Sequence, residues 1–230
     1  MRQIFVQRDY DVSRLSRADE LRAAYDGILT DGCVPLIIDA GANIGASTLY
    51  LADSWPEAHV IAIEPDAANS ELLCRNTSGL PHVTCLHAAL AARSGEMLLV
   101  DPGQGHWGLR ALPADQVPAG AIVRARIPAL GMADLMRQHS SHYVPFLCKI
   151  DIEGGESDLF ADLTGWIDSF PLLVIELHDW LLPGQTVSHH FLREMSLRDR
   201  DFIYLGENIF SIANPHDDVT MIGGEAAMAV

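Results

Sequence analysis

One junction constrains this chain more than any other. The apolar run Leu36-Ile37-Ile38 ends in Asp39-Ala40-Gly41-Ala42-Asn43-Ile44-Gly45 and passes straight into a helix-forming stretch. A short apolar run closed by glycine reads as a buried strand. Residues 46 to about 54 read as a helix that stops before Pro56, because a residue preceding proline is pushed out of the helical region. A buried strand feeding a helix is the first half of a βαβ unit, which points to a parallel sheet with helices on both faces.

The alternation continues. His59–Glu64 is a second strand, Pro65-Asp66 turns it into a helix running to about Asn76, and Gly79 and Pro81 close the unit. Val83–His87, Phe146–Asp151 and Leu172–Glu176 read as three more strands. Asp201–Leu205 and Ile209–Ile212 form a terminal pair split by the hairpin-like turn Gly206-Glu207-Asn208. Met97–Val100 and Ala121–Ile127 look like additional strands, and Gly103–Gly108 like a glycine-rich loop. The expectation is one α/β domain over residues 1–230, with a seven-stranded, mostly parallel sheet ending in an antiparallel hairpin. Residues 1 to about 30 form a helical extension packed on the sheet or over the cleft.

With 49% hydrophobic and 20% charged residues the chain can bury one good-sized core. Fifteen Lys and Arg against 31 Asp and Glu give a net charge of −16, which repels phosphate polymers and argues against a nucleic-acid partner. No apolar stretch reaches the length of a membrane span, and the first residues are too short in their apolar part for a signal peptide. The expected location is the cytosol, with no membrane partner. Cys33, Cys74, Cys85 and Cys148 carry no C-x-x-C pairing and read as reduced structural thiols.

A glycine turn where a strand becomes a helix is where open parallel sheets bind ligands. A dinucleotide fingerprint needs a second glycine so that the backbone can approach a pyrophosphate; Asn43 stands in that place, which disfavours NAD. S-adenosylmethionine lacks a pyrophosphate, so its methionine portion can pass over Gly41, Asn43 and Gly45, with Asp39 placed to meet its ammonium directly or through water. Glu64 ends the second strand about 25 residues later, a spacing at which an acidic residue pairs with the ribose hydroxyls of an adenosine ligand.

Four blocks then resemble the FkbM family of methyltransferases over roughly residues 36–214. They are Ile38–Gly45, Ile63-Glu64-Pro65-Asp66, Ala88-Ala89-Leu90 followed by Gly95, and Lys149-Ile150-Asp151-Ile152-Glu153-Gly154-Gly155-Glu156, the last joined to Glu176 on the next strand. The resemblance implies a Rossmann-like class I methyltransferase fold and S-adenosyl-L-methionine as cofactor, with Ala88 among the binding positions. It implies an acceptor among small molecules, sugars and secondary metabolites. Two positions depart from the family pattern: Leu130-Gly131 where Leu-Asp is common, and Gly155 where alanine is common.

For the chemistry, Lys149, Asp151 and Glu153 alternate, so one face of a continuing strand would present all three to the cleft. Asp151 is the candidate for contact with the methionine ammonium or the acceptor hydroxyl, Glu153 for the turn or the substrate rim, and Lys149 for balancing the carboxylates. Glu176 and His178 reach the same end of the sheet, and His178 is the candidate general base because an unperturbed imidazole titrates near neutral pH. His106 beside Trp107 reads as a substrate-loop residue, and His189-His190 as decoration of a helix. No dedicated metal site is expected, although Asp151, Glu176 and His178 could together hold a divalent cation. The expected reaction is methyl transfer to a hydroxyl oxygen. The rivals are an NAD-linked oxidoreductase, a non-catalytic adenosine-binding module, and a protein or nucleic-acid methyltransferase.

Overall fold

A computed structural model describes residues 2–101, 109–139 and 142–214. The elements run α1 (Ala18–Thr30), β1 (Val34–Ala40), α2 (Ala46–Ser54), β2 (His59–Glu64), α3 (Ala67–Thr77), β3 (Val83–His87), β4 (Ala89–Ala91), β5 (Gly95–Asp101), β6 (Arg110–Leu112), β7 (Ile122–Gly131), α4 (Met132–His139), β8 (Tyr143–Ile150), α5 (Glu156–Leu159), β9 (Leu172–Glu176), α6 (His189–Ser196), β10 (Arg200–Leu205) and β11 (Asn208–Ala213). Seven strands form one sheet in the order β10-β11-β9-β8-β1-β2-β3. β1, β2, β3, β8 and β9 are parallel, while β11 pairs antiparallel with β9 and β10 with β11. This is the mostly parallel seven-stranded sheet with a terminal hairpin that the alternation implied, in the Rossmann-like form that the family resemblance implied.

Both faces of the central strands are buried, which is why they read as unbroken apolar runs. Leu36 and Ile38 of β1, Ile61 and Ile63 of β2 and Cys148 and Ile150 of β8 join one core with Phe160, Phe191 and Met195. Ile37, Val60, Leu147 and Val174 join the other with Tyr25 of α1, Leu51 of α2 and Trp55. Period two therefore sends Asp39, which shares its parity with Ile37, to the face that α2 covers. Tyr25, Trp55 and Phe146 pack there with ring centroids 4.7–5.2 Å apart, Phe146 edge to face with the other two, closing α1 onto the sheet.

A second sheet, β4-β7-β5-β6, sits beside the main one and holds its own small core of Ala89, Met97, Leu99 and Ile127. Its strand at Gly95–Asp101 contains Met97–Val100, and its strand at Ile122–Gly131 starts one residue after the Ala121–Ile127 read from the sequence and runs four residues further. Their assembly with Ala89–Ala91 and Arg110–Leu112 into a separate sheet was not foreseen. Before α1, short helical turns at Gln3–Gln7 and Val12–Arg14 bring Tyr10 and Val12 into the core on the α2 side. None of the four cysteines is disulfide-bonded. Among the described residues no helix is long and apolar enough to cross a membrane.

Candidate active site

The chain reverses its winding between β1 and β8, and the crevice outside their carboxyl ends is where doubly wound sheets take ligands. The two strand ends are pressed together. A Cβ at Gly41, whose φ is +73°, would lie 1.7 Å from the carbonyl oxygen of Asp151, so any side chain would push β1 and β8 apart. Beneath this contact Lys149 is fully buried and its ammonium donates to the carbonyls of Gly41 at 2.8 Å and Ala40 at 3.2 Å. It also pairs with Asp39 at 3.2 Å and Asp151 at 3.5 Å. Burial alone would discharge Lys149, but Asp39, Tyr10 and Asp151 outweigh it and drive its pKa upward.

Above Gly41 opens a cavity of about 740 Å³ bounded by Asn43, Glu64, Ala88, Met97, Asp151 and Glu153. Glu64 is 6% exposed, and its carboxylate accepts from the backbone nitrogens of Asn43 at 2.8 Å and Asp66 at 2.9 Å. Burial raises its pKa against those two hydrogen bonds. Asn43 itself is left-handed at φ +51°, with its side-chain oxygen accepting from the nitrogen of Ile44. Two of the residues read as cofactor contacts stand elsewhere. Asp39 is fully buried under the loop, with one oxygen taken by the hydroxyls of Ser47 at 2.7 Å and Thr48 at 2.6 Å and the other facing Lys149. It anchors the loop from below and borders neither this cavity nor the adjoining one. Gly45 packs on α3, where a Cβ would meet Leu73 Cδ1 at 2.8 Å.

The regular part of β8 ends at Ile150, so period two does not carry through to Glu153. A tight turn, with left-handed Glu153 at φ +52° and Gly154 at φ +91°, brings the carboxylates together instead. They converge on His178, which is 1% exposed. Its Nδ1 pairs with Glu156 at 2.9 Å, while Nε2 lies 3.5 Å from both Asp151 and Glu153 and 3.8 Å from Glu176. Burial disfavours a charged imidazole, yet the Glu156 hydrogen bond and the surrounding carboxylates push its pKa up to about 9. At neutral pH the ring carries both protons and has no lone pair with which to act as the general base read from the sequence. Glu153 and Glu176 also rise above their usual range. Burial is the main cause in both, opposed by His178, and each is pushed up to about 7. Asp151, Glu153 and His178 each bring a donor atom within 4.8 Å of the others, so Glu153 replaces Glu176 in the trio that could hold a cation. Such an ion would have to displace the Nε2 proton.

Asp151 borders both the main cavity and an adjoining one lined by Tyr10, Glu176, Glu207 and Asn208. Neither Tyr10 nor Glu156 was singled out from the sequence. Tyr10 lies in a segment without periodicity, and only the family-like Glu153-Gly154-Gly155-Glu156 block hinted at Glu156. His106 and Trp107 lie outside the described residues. Gly131, the departure from Leu-Asp, has a steric reason. A Cβ there would lie 2.7 Å from the nitrogen of Ser94, whose hydroxyl accepts from the nitrogen of Gly131 at 2.9 Å.

The chain matches the Methyltransferase FkbM domain over residues 39–204. It is 33% identical over 101 residues to the methyltransferase sdnD of Sordaria araneosa, a match covering 39% of this chain and 38% of that protein. The FkbM methyltransferase of Methylobacillus flagellatus KT superposes with a TM-score of 0.49 at 17% identity, covering 78% of this chain and 43% of the other. A putative caffeoyl-CoA O-methyltransferase from Staphylococcus aureus gives a TM-score of 0.45 at 10% identity, covering 85% and 83%. The chain thus spans well under half the length of the sdnD and M. flagellatus proteins. The family match takes in both ends of the crevice, from Asp39 at the close of β1 through the carboxylate turn to His178, and on it the chain belongs to the FkbM family of methyltransferases.

Proposed function

We propose that this chain transfers a methyl group from S-adenosyl-L-methionine to a hydroxyl of a small molecule or sugar. One observation carries the reading: a single cleft is walled by Glu64 and Gly41 at one side and by Glu153, a carboxylate held near neutral pKa, at the other. The residues fit the cofactor. The Glu64 oxygens each keep a lone pair beyond the backbone bonds they accept, which suits a pair of vicinal ribose hydroxyls. Ala88, Leu90 and Met97 offer apolar wall for a base, and Asp151 offers a carboxylate for an ammonium. When bound, the cofactor supplies an electrophilic methyl on a sulfonium.

The chain's own contribution is positioning and proton transfer. Lys149 and Asp39 fix the Gly41 loop, so the cavity floor is set before any ligand arrives. Glu153, on the wall of the cavity and titrating near 7, accepts the acceptor's hydroxyl proton. His178, held charged by Glu156, steadies the ionised forms of Asp151, Glu153 and Glu176 so that three carboxylates can share one end of the sheet. Calorimetric titration with S-adenosylhomocysteine and NAD tests the cofactor: micromolar binding of the first and none of the second is expected, and tight NAD binding would replace methyl transfer by an oxidoreductase. Incubation with labelled cofactor and fractionated extract of the native cell then reads the acceptor, with label expected in a base-stable ether linkage.

A further inference from the structure

Arg110 opens β6 with its side chain turned away from the cofactor cavity. Strand alternation gives Leu109 and Ala111 to that cavity's wall and sends Arg110 and Leu112 to the far side. There they line a second cavity of about 630 Å³ with Gln116, Gly154, Ser157 and Gln185. Ala111 and Gly155 border both cavities, so the second opens beside the first.

Arg110 is 8% exposed, its Nε is buried without a hydrogen-bond partner, and among the described residues its guanidinium forms no ion pair. The contrast with Arg200 is direct. That guanidinium is equally buried, and it donates to Ser211 Oγ at 2.8 Å, the carbonyl of Ser211 at 2.9 Å and the carbonyl of Phe170 at 3.0 Å. Burial pulls the Arg110 pKa down, and the Glu156 carboxylate opposes it from beyond ion-pair distance. A buried guanidinium without a partner is costly, so a structure that keeps one in a cavity wall keeps it for an anion. Gly154 packs against this side chain: at its left-handed φ of +91° a Cβ would lie 2.5 Å from Leu182 Cδ1, 3.2 Å from Nε and 3.3 Å from Nη2, so only glycine fits beside the guanidinium.

We propose that Arg110 binds an anionic group, carboxylate or phosphate, of the methyl acceptor, while Gln116, Ser157 and Gln185 hydrogen-bond its hydroxyls. This rests on the methyl-transfer reading and narrows it: the acceptor is a hydroxylated acid rather than a neutral sugar or alcohol. Asp158 lines the same cavity with Oδ2 accepting from the nitrogen of Ala92 at 3.2 Å, and its charge confines the anion to the Arg110 side.

The test titrates glucuronate, glucose 6-phosphate and glucose into the full chain at matched ionic strength, with and without saturating S-adenosylhomocysteine. Wild type, Arg110→Met and Arg110→Lys are compared. Wild type should bind the better of the two anions about tenfold or more tighter than glucose, as expected for a charge-assisted pair. Which anion wins names the group. Arg110→Met should abolish the preference, Arg110→Lys should keep part of it, and affinity for S-adenosylhomocysteine should stay within about twofold in both. Equal affinity for all three sugars in wild type overturns the proposal, as does a preference that survives in Arg110→Met. Should Arg110→Met fail to fold, the wild-type preference and its weakening in Arg110→Lys decide the matter. If Arg110→Met folds but melts lower and wild type shows no preference, the guanidinium serves Glu156 within the fold and the proposal falls. Absence of S-adenosylhomocysteine binding by wild type would sink the methyltransferase reading alone, since the anion preference is read without cofactor as well.

Discussion

The two ends of the crevice are built from different materials. At the β1–β2 end, backbone does the work: Gly41 lies against the Asp151 carbonyl, and the nitrogens of Asn43 and Asp66 hold Glu64. At the β8–β9 end, charges do it: Asp151, Glu153, Glu156 and Glu176 surround one imidazole, and the N-terminal Tyr10 borders the same space. A ligand common to a whole family can be held by backbone, whose geometry changes little with side-chain substitution. A proton that must move needs groups of tunable pKa, and only side chains from several segments supply them.

The comparison breaks first if the backbone end tolerates a side chain. Gly41→Ala adds a Cβ 1.7 Å from a carbonyl oxygen at a left-handed position. The expected loss exceeds about 3 kcal/mol of stability in denaturant unfolding. Gly79→Ala, with nothing within 4 Å of its Cβ, is the matched control and should change little. At the charged end, Glu153→Gln should lower turnover by roughly 10²- to 10⁴-fold with cofactor affinity nearly intact. An unchanged rate would mean that positioning alone suffices.

A smaller effect separates the two ends by ligand. Glu64→Gln turns an acceptor into a donor facing the nitrogen of Asn43 or Asp66. Calorimetry should show S-adenosylhomocysteine binding weakened by about 10- to 100-fold. The same substitution should leave the pH dependence of turnover in place, because the titrating groups lie at the other end.

That pH dependence has a worked sign. Glu153 must be ionised to accept a proton, so turnover should rise with an apparent midpoint near 7, a value that belongs to the coupled cluster. The folded-state pKa of His178 lies above its ordinary 6.5, so its contribution to stability is full below that value and is lost as pH climbs through about 9. The raised carboxylates Glu153 and Glu176 lower stability as pH rises from 4.5 to about 7. Melting temperature should therefore fall across the range in which activity rises, and Glu153→Gln should flatten the lower part of that fall. The smallest effect concerns metals. With a proton on Nε2, a chelator should leave turnover unchanged; restoration of a chelator-sensitive rate by magnesium would make Asp151, Glu153 and His178 ligands instead.

Legibility in the sequence follows the same division. β2 and β9 match the apolar runs residue for residue, because a strand buried on both faces and bounded by turn residues leaves a continuous signal, and the bounds of the half-exposed edge strand β3 match as well. The second sheet left less. β4 and β6 span three residues each, and residues 122–126 of β7 are exposed, so neither length nor alternation marked them as partners. The burial of Asp39 was readable from its parity with Ile37, had Ser47 and Thr48 been seen as hydroxyls awaiting an acceptor. The imidazole was judged by its unperturbed pKa, and what changed it was the carboxylates of Asp151, Glu153 and Glu156 on another segment, which only the folded chain brings to it.

Lys149 is the chain's single lysine; the other fourteen cations of its Lys and Arg set are arginines. Its ammonium is sealed beneath the Gly41–Asp151 contact, so in the native fold this chain offers an amine-reactive reagent no exposed lysine. Peptide mapping of such a reagent at Lys149 would then time the opening of the sheet at its switch point, one molecule at a time, against a blank background. A bound cofactor that spans the two strand ends should slow that clock, giving a readout of occupancy that needs neither an acceptor nor a turnover.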